Sequence, residues 1–236
     1  MIRKILLLFA FLPLMASAQE DAYCGEHAFD GVHKNEVQGY ATLGENTKFK
    51  TFVALSGTYT RHLTEFLDMQ GSLTYQSGNK HFGVAAEGRY RMPIGRANLY
   101  ATARFLFNRY GAYEQNETNY NFGLSWEARY WDIRVGVYQT TFSGYGSSYT
   151  EPISMQFGIA GYIRPRENKW NVGFFFRNFD DFYYEHWNIN WGFAWKARLS
   201  QRINLFGQID VRPAGSMSQI ASKYESHLKI GLKYVW

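Results

Sequence analysis

The chain ends on KYESHLKIGLKYVW, residues Lys223–Trp236, in which two kinds of side chain alternate. The first kind is mostly apolar and occupies Tyr224, Ser226, Leu228, Ile230, Leu232, Tyr234 and Trp236. The second kind is mostly charged and occupies Lys223, Glu225, His227, Lys229, Gly231, Lys233 and Val235. Because successive side chains of a strand point to opposite faces, this stretch predicts a strand with one face toward an apolar medium and the other toward water.

The last residue, Trp236, adds a second signal. An alternating strand that closes on an aromatic residue resembles the C-terminal signature of outer-membrane β-barrel proteins. The resemblance implies an antiparallel barrel with apolar side chains toward lipid and polar side chains toward the lumen. It also implies a bacterial outer-membrane location, with outer-membrane lipid and the barrel-assembly machinery as partners.

The N-terminal residues predict export. Arg3 and Lys4 precede an apolar stretch at 5–15 and small residues at 16–18. This pattern is typical of a cleaved signal peptide, here residues 1–18, and its apolar part is too short to span a bilayer as a helix. Loss of Arg3 and Lys4 lowers the formal net charge from +5 to +3, which is too small to indicate a nucleic-acid partner.

Composition narrows the class of protein further. No run of about 18 apolar residues follows the signal peptide, which excludes a helical membrane protein. Aromatic residues make up 19% of the chain although the mean hydropathy is only -0.37, as expected when strands face lipid on one side and water on the other. The single cysteine, Cys24, excludes a disulfide framework. With His27 and His33 it lacks a fourth metal ligand, so we expect neither a metal nor a cofactor.

Alternating stretches recur along the chain, without a convincing amphipathic helix between them. We predict an all-β, up-and-down transmembrane barrel of about 12 strands over residues 36–236. The segment 19–35 is then either a periplasmic tail or an acidic plug, and an even strand count leaves both termini in the periplasm. The predicted strands are 36–43, 49–60, 65–76, 81–91, 98–108, 119–130, 132–142, 153–164, 170–179, 185–199, 202–212 and 223–236.

A soluble β-sandwich or lipocalin-like barrel shares the period of two but buries its apolar side chains. Neither fold requires a terminal Trp236 or aromatic residues collected at strand ends. Here Tyr59 and Tyr90 lie near predicted periplasmic turns, and Tyr75 and Tyr120 lie near predicted outer loops. Because amphipathic rings favour the headgroup level of a bilayer, these positions predict two aromatic girdles and favour the membrane barrel.

The polar face of the predicted strands is mainly basic. Since unpaired charge is costly against lipid but tolerable in a wet lumen, we place these side chains inside the barrel. A low-dielectric wall would focus their field on a passing solute and favour anions. The predicted pore-lining residues are Arg89, Arg104, Arg129, Arg134, Arg164, Arg177, Lys196, Arg198, Arg212 and Lys229.

In strand count, chain length and lumen charge, the predicted architecture resembles twelve-stranded substrate-specific channels, and its basic lumen is similar to that of acidic-oligosaccharide channels. The resemblance implies a narrow channel for small, preferably anionic solutes. A second interpretation stays open, in which the charges pair across strands and fill the barrel. The protein would then be a non-conducting structural or assembly component of the outer membrane.

A barrel enzyme is the third interpretation. Asp180, Asp181, Glu185 and His186 share one predicted outer loop, and carboxylates beside a histidine at a barrel rim resemble omptin-type proteases. Such proteases need an Asp pair and an Asp-His pair from different strands, whereas these four residues lie in one hairpin, so we expect a solvated acidic loop. A lipid-facing Ser, His and Asn site is also disfavoured, because Ser226 and the histidine that follows it point to opposite faces. We therefore predict that the protein is not an enzyme.

Overall fold

The computed structural model describes residues 35–46, 50–184, 189–212 and 225–236. The predicted signal peptide, the segment before residue 35 with Cys24, and the first two residues of the C-terminal stretch lie outside the described residues. None of the described residues forms a helix long and apolar enough to cross a membrane.

The described residues form one sheet of thirteen antiparallel strands. The sheet closes on itself, because the first strand pairs with the last over 36–46 and 225–235 and the sixth pairs with the seventh. Twelve strands form the wall, which confirms the predicted all-β barrel. The strands are β1 (Asn35–Asn46), β2 (Lys50–His62), β3 (Leu67–Gln76), β4 (His81–Ile94), β5 (Ala97–Tyr110), β6 (Gln115–Glu127), β7 (Trp131–Gly144), β8 (Ser147–Thr150), β9 (Ser154–Tyr162), β10 (Trp170–Arg177), β11 (Asn190–Arg198), β12 (Ile203–Arg212) and β13 (Glu225–Val235).

The strand that does not belong to the wall is β8, which forms a hairpin with β7 at the outer rim. The sequence predicted a loop at 143–152, but Tyr145 and Gly146 both adopt positive φ, 50° and 76°. Two consecutive residues with positive φ form the turn whose twist matches a β-hairpin. The outer end of β7 therefore continues as a short hairpin beyond the barrel wall.

Among the strands that end earlier than predicted, β6 and β9 do so for identifiable local reasons. β6 ends at Glu127 rather than at residue 130, because the Ala128 backbone N–H donates to the Trp131 carbonyl over 2.8 Å and starts a turn. β9 ends at Tyr162 rather than at residue 164, just before Pro165, which has no N–H to donate to a ladder. Both differences move predicted lumen residues into turns.

The two faces of the wall follow the alternation in the sequence. Large apolar side chains lie outside, where Leu73, Phe122 and Phe193 are 54%, 62% and 58% exposed. Polar side chains lie inside, where Asn119 and Gln156 are 0% and 1% exposed. This arrangement is the reverse of a soluble barrel with an apolar interior and matches the transmembrane type.

The end of the barrel that holds both described chain ends is the one we assign to the periplasm. Asn35 and Trp236 exchange two backbone hydrogen bonds of 3.0 Å there. The Trp236 ring stacks on Tyr234 with centroids 5.6 Å apart and lies 6.3 Å from the Tyr59 ring. Trp236 therefore completes the β1–β13 seam and contributes to an aromatic cluster at the same level.

Candidate functional site in the lumen

The structure places most of the predicted pore-lining residues on the lumen side of their strands. Arg104, Arg212 and Lys229 are buried there, with 9%, 1% and 7% of their surface exposed. Arg89 and Arg134 line a lumen cavity with Arg104. Lys196 and Arg198 line an adjoining cavity with Lys229, and Arg177 contacts the lumen residues Asp180 and Gln208.

Two of the predicted pore-lining residues, Arg129 and Arg164, lie in turns instead, because β6 and β9 end before them. The Arg129 side chain is 54% exposed and its Nε lies 3.2 Å from a carboxylate oxygen of Glu167. The Arg164 guanidinium lies 3.4 Å from the centroid of the Trp170 ring. Their placement on lumen strands was therefore wrong, and both belong to the rim of the barrel that holds the described chain ends.

A polar cavity occupies the periplasmic half of the lumen, and we call it the vestibule. It consists of two adjoining spaces of about 370 and 240 Å³. The turn residues Glu65, Lys169 and Gln201 line its periplasmic mouth. Both spaces are lined by Glu36, Gln38, Tyr40, His62, Asp68, Asp181 and Lys233.

Basic side chains outnumber acidic ones among the described residues that line the vestibule. The nine basic side chains are Arg89, Arg91, Arg104, Arg134, Lys169, Lys196, Arg198, Lys229 and Lys233. The five acidic side chains are Glu36, Glu65, Asp68, Glu87 and Asp181. Asp180 and Glu127, which lie outside this lining, pair with Lys229 and Arg89, and the lining still carries two more basic than acidic side chains when these two pairs are set aside.

The acidic groups of the vestibule concentrate on the wall formed by β1, β2, β3 and β13. His62 Nδ1 lies 2.6 Å from Asp68 Oδ1, and His62 Nε2 lies 3.1 Å from Glu36 Oε1. Lys233 forms an ion pair with Glu36 as well. Lys196 and Arg198 lie on a different section of the wall, on β11. A solute in the vestibule thus meets carboxylates that are paired with His62 and Lys233 on one section, and two basic side chains of β11 on another.

The connection between β10 and β11 folds into the lumen and ends the vestibule. Phe179 and Tyr184 form an antiparallel bridge, and the Asp180 backbone N–H donates to the Tyr183 carbonyl over 2.8 Å. We call residues Phe179–Tyr184 the lumen hairpin. Asp181 faces the vestibule from this hairpin, which extends from there toward the outer rim.

Aromatic side chains anchor the lumen hairpin to the inner wall. Phe179, Phe182 and Tyr184 are buried in one cluster with Ala85, Leu106 and Tyr138 of the wall. Two wall glycines provide the space. A Cβ atom on Gly83 would lie 2.9 Å from the Phe182 ring, and one on Gly158 would lie 2.8 Å from the Phe179 ring. Such distances are closer than carbon atoms approach, so the hairpin requires glycine at both positions.

Hydrogen bonds from several strands hold the backbone and the polar side chains of the hairpin. Asn108 Nδ2 donates to the Phe182 carbonyl over 2.8 Å, and Arg104 donates to the Asp181 carbonyl. The Tyr40 hydroxyl donates to Asp181 Oδ2 over 2.6 Å. The Tyr183 hydroxyl lies 3.0 Å from Nδ1 of His81 on β4. The hairpin is therefore tied to the inner wall around much of the barrel.

Asp180, at the turn of this hairpin, is the centre of a buried ionic cluster. It is 5% exposed, and Lys229 Nζ donates to its two carboxylate oxygens over 2.7 and 2.9 Å. Arg177 and Arg212 approach the same carboxylate to 3.3 and 3.6 Å. Burial disfavours the ionised carboxylate, but these three cations outweigh that effect and hold the pKa of Asp180 well below its ordinary value.

The sequence predicted a solvated acidic loop for this connection, and that prediction was wrong for the described residues, because Asp180 is buried. The basic lumen provides counter-charges that make burial of Asp180 favourable. A signal was present in the sequence, because Phe179, Phe182, Tyr183 and Tyr184 give the loop an aromatic content unusual for a solvated connection. Glu185 and His186, the other two residues considered for an acidic protease site, lie outside the described residues.

Comparison with known proteins supports the fold. No protein-family model matches the chain, and no curated protein matches it either. Solved structures do match over most of its length. A KdgM porin in complex with disordered oligogalacturonate aligns with a TM-score of 0.54 and 6% identity, over 85% of this chain and 99% of the porin. The chain has the fold of an outer-membrane β-barrel.

Two further structures show which activities this fold accompanies. An outer-membrane channel from Pseudomonas putida F1 aligns with a TM-score of 0.54 and 11% identity, over 92% of this chain and 100% of the channel. The outer membrane phospholipase A from Escherichia coli aligns with a TM-score of 0.50 and 10% identity, over 85% of this chain and 92% of the enzyme. Channels and an enzyme thus share the architecture, so the function has to be inferred from the residues of the lumen.

Proposed function

We propose that this barrel is a bacterial outer-membrane channel for small solutes, with a preference for anions, in which the lumen hairpin restricts passage. The observation that carries the proposal is the vestibule, where nine basic side chains face five acidic ones among the described residues. A low-dielectric wall around such a cavity strengthens the field of the excess charge and raises the local concentration of anions.

The size and lining of the vestibule are compatible with small solutes. Its larger space of about 370 Å³ lies within the range of small-molecule sites in proteins. Tyr162, Trp195 and Phe206 line this space beside Lys196 and Arg198, which offers apolar ring faces next to cations. The KdgM porin was solved with oligogalacturonate, an anionic chain, and we propose anionic solutes as the general class for this barrel as well.

A non-conducting structural barrel is the second candidate, and the lumen hairpin is the observation that favours it. Phe179, Phe182 and Tyr184 fill space between the vestibule and the outer rim, and Asp180 neutralises part of the basic wall. The vestibule favours the channel, because a purely structural interior has no need of a hydrated space with excess positive charge. The two candidates differ in whether the hairpin ever leaves its position.

An enzyme of the phospholipase type is not supported by the described histidines. His62 lines the vestibule, and His81 and His227 are 1% and 8% exposed within the lumen. A site that hydrolyses lipid has to present its catalytic base to the outer, lipid-facing surface. We therefore propose a channel rather than a lipid-hydrolysing enzyme.

Ion selectivity in planar bilayers tests the proposal. We expect the refolded mature chain to show openings whose reversal potential in a KCl gradient indicates chloride preference. Changing Lys196 and Arg198 together to Glu should reduce or reverse that preference, because both line the vestibule. The matched control is Arg96→Glu, at an exposed position of the β4–β5 turn, which should leave the reversal potential unchanged. Cation preference in the unmodified protein would contradict the proposal.

A further inference from the structure

The ionic cluster at Asp180 has the composition of an anion-binding site whose ligand is supplied by the protein. Its cations come from three separate strands: Arg177 ends β10, Arg212 ends β12, and Lys229 lies within β13. The carboxylate comes from the connection that folds inward. The strands hold the cations and the hairpin holds the anion, so the two halves of the cluster belong to separate parts of the fold.

Of the wall carboxylates near this cluster, Asp210 is engaged with other groups, whereas Glu225 pairs with Arg212 of the cluster itself. Asp210 accepts from Gln208 Nε2 over 2.7 Å and lies 2.9 Å from His227 Nδ1. Glu225 lies 3.6 Å from Arg212 and 3.5 Å from His227.

Lys229 depends on the hairpin for its counter-charge. Its ion pairs within the described part of the chain are with Asp180 at 2.7 Å and Asp181 at 3.5 Å. Both carboxylates belong to the lumen hairpin. Departure of the hairpin would therefore leave a buried ammonium group that needs a new anionic partner, since an uncompensated buried charge is costly.

The vestibule gives solutes access to this position. Lys229 and Asp181 both line its larger space. A small cavity of about 40 Å³ on the other side of the same residues is lined by Asp180, Phe182 and Tyr183. A solute that enters the vestibule therefore reaches Lys229 at the point where the hairpin carboxylates contact it.

We propose that Asp180 is an internal ligand of a carboxylate-binding site formed by Lys229, Arg177 and Arg212, and that solutes bearing a carboxylate bind to this site in exchange for it. Charge-assisted hydrogen bonds from ammonium and guanidinium groups are the interactions that carboxylates make most strongly in proteins. Even on a flexible linker a tethered ligand competes at an effective concentration of the order of millimolar, and the anchored hairpin competes more strongly, so a solute must be abundant or multivalent to replace Asp180. The inference rests on the proposed function only for the route by which solutes arrive.

Chemical rescue tests the site without requiring conduction. The variant Asp180→Ala removes the carboxylate while the aromatic anchors of the hairpin remain. In detergent micelles, titration calorimetry should show acetate binding to Asp180→Ala at least tenfold more tightly than to the unmodified protein. Acetamide, the neutral molecule of the same shape, should bind to neither. The double variant Asp180→Ala, Lys229→Gln should lose the acetate binding that the single variant gains.

Equal affinity of acetate for all three proteins would overturn the proposal, as would equal binding of acetate and acetamide.

A second measurement applies if Asp180→Ala does not fold. In the background Cys24→Ser, Phe182→Cys places a thiol on the buried side of the hairpin, where the native ring is 4% exposed. Acetate should accelerate its reaction with a maleimide several-fold and acetamide should not. Reaction rates independent of acetate would overturn the exchange of Asp180 for a solute.

The two proposals fail separately. Acetate binding by Asp180→Ala without any conductance in bilayers would refute the channel and retain the carboxylate site. Conductance with chloride preference, but without acetate binding, would retain the channel and refute the site.

Discussion

The vestibule and the region of the lumen hairpin have similarly basic walls but compensate the charge differently. In the vestibule, basic side chains exceed carboxylates and a space of about 370 Å³ remains. At the hairpin, Asp180 brings a carboxylate to Lys229, Arg177 and Arg212, and aromatic rings fill the space between. A basic lumen is therefore insufficient evidence for an open pore, because a connecting loop can supply the missing acidic groups.

The largest effect on channel opening is expected from removing the carboxylate that compensates the basic wall at the hairpin. Asp180→Asn keeps the shape of the side chain but removes the charge that pairs with Lys229. Loss of one partner of a buried ion pair typically costs about 3–5 kcal/mol, which we expect to appear as weaker closure by the hairpin. In single-channel recordings the open fraction should rise by more than tenfold.

The matched control for this prediction is Asp181→Asn, one residue further along the hairpin. Asp181 is half-exposed on its side chain and lies 3.5 Å from Lys229, so the same loss of charge should change the open fraction much less. Equal effects of both variants would mean that the vestibule and the hairpin region do not differ in the way we describe.

A second prediction compares the outer, lipid-facing side of one strand with its lumen side. Leu55 of β2 is 62% exposed on the outer face, and Thr58 of the same strand lines the vestibule. Leu55→Arg should reduce the free energy of unfolding by about 2–4 kcal/mol, because it places a cation against hydrocarbon. Thr58→Arg should cost about 1 kcal/mol or less, since its charge enters water. Urea unfolding in lipid vesicles measures both, and similar losses would show that the assignment of faces is wrong.

A smaller effect on channel opening is expected from crowding the Phe179 ring, which anchors the lumen hairpin to the wall. Gly158→Ala adds a methyl group 2.8 Å from the Phe179 ring, and overpacking of this kind costs about 1–3 kcal/mol. The displaced ring should raise the open fraction by a few-fold. Gly71→Ala is the control, because no atom lies within 4 Å of the added carbon. An unchanged open fraction in Gly158→Ala would indicate that Phe179 contributes little to closure.

The strands of the wall and their two faces could be predicted from the sequence, because they depend on the alternation of neighbouring residues. Alternation places successive side chains on opposite faces of each strand, so the stretch ending at Trp236 already contains the information for β13. Strand ends depend on single interactions instead. Arg129 lies inside the turn closed by the hydrogen bond from Ala128 to Trp131, and Arg164 directly precedes Pro165.

The lumen hairpin could not be predicted in the same way, because its contacts are distant in sequence. Asp180 pairs with Lys229, 49 residues later in the chain, and Asp181 accepts from Tyr40 across 141 positions. No periodicity reports such pairs. The indirect signals were a surplus of lumen cations and a loop rich in aromatic residues, and together they indicate a loop with a reason to enter the barrel.

Single-channel recording of a barrel without the lumen hairpin tests the account most directly. Residues Phe179–Tyr184 are replaced by glycine and serine at equal length, and a heat-dependent shift in gel mobility verifies folding. We predict a steady conductance, larger than that of the unmodified protein, with chloride preference in a KCl gradient. The preference should weaken between 0.1 and 1 M salt, as the screening length falls from about 10 to about 3 Å. A folded variant that does not conduct, or that prefers potassium, would contradict the account.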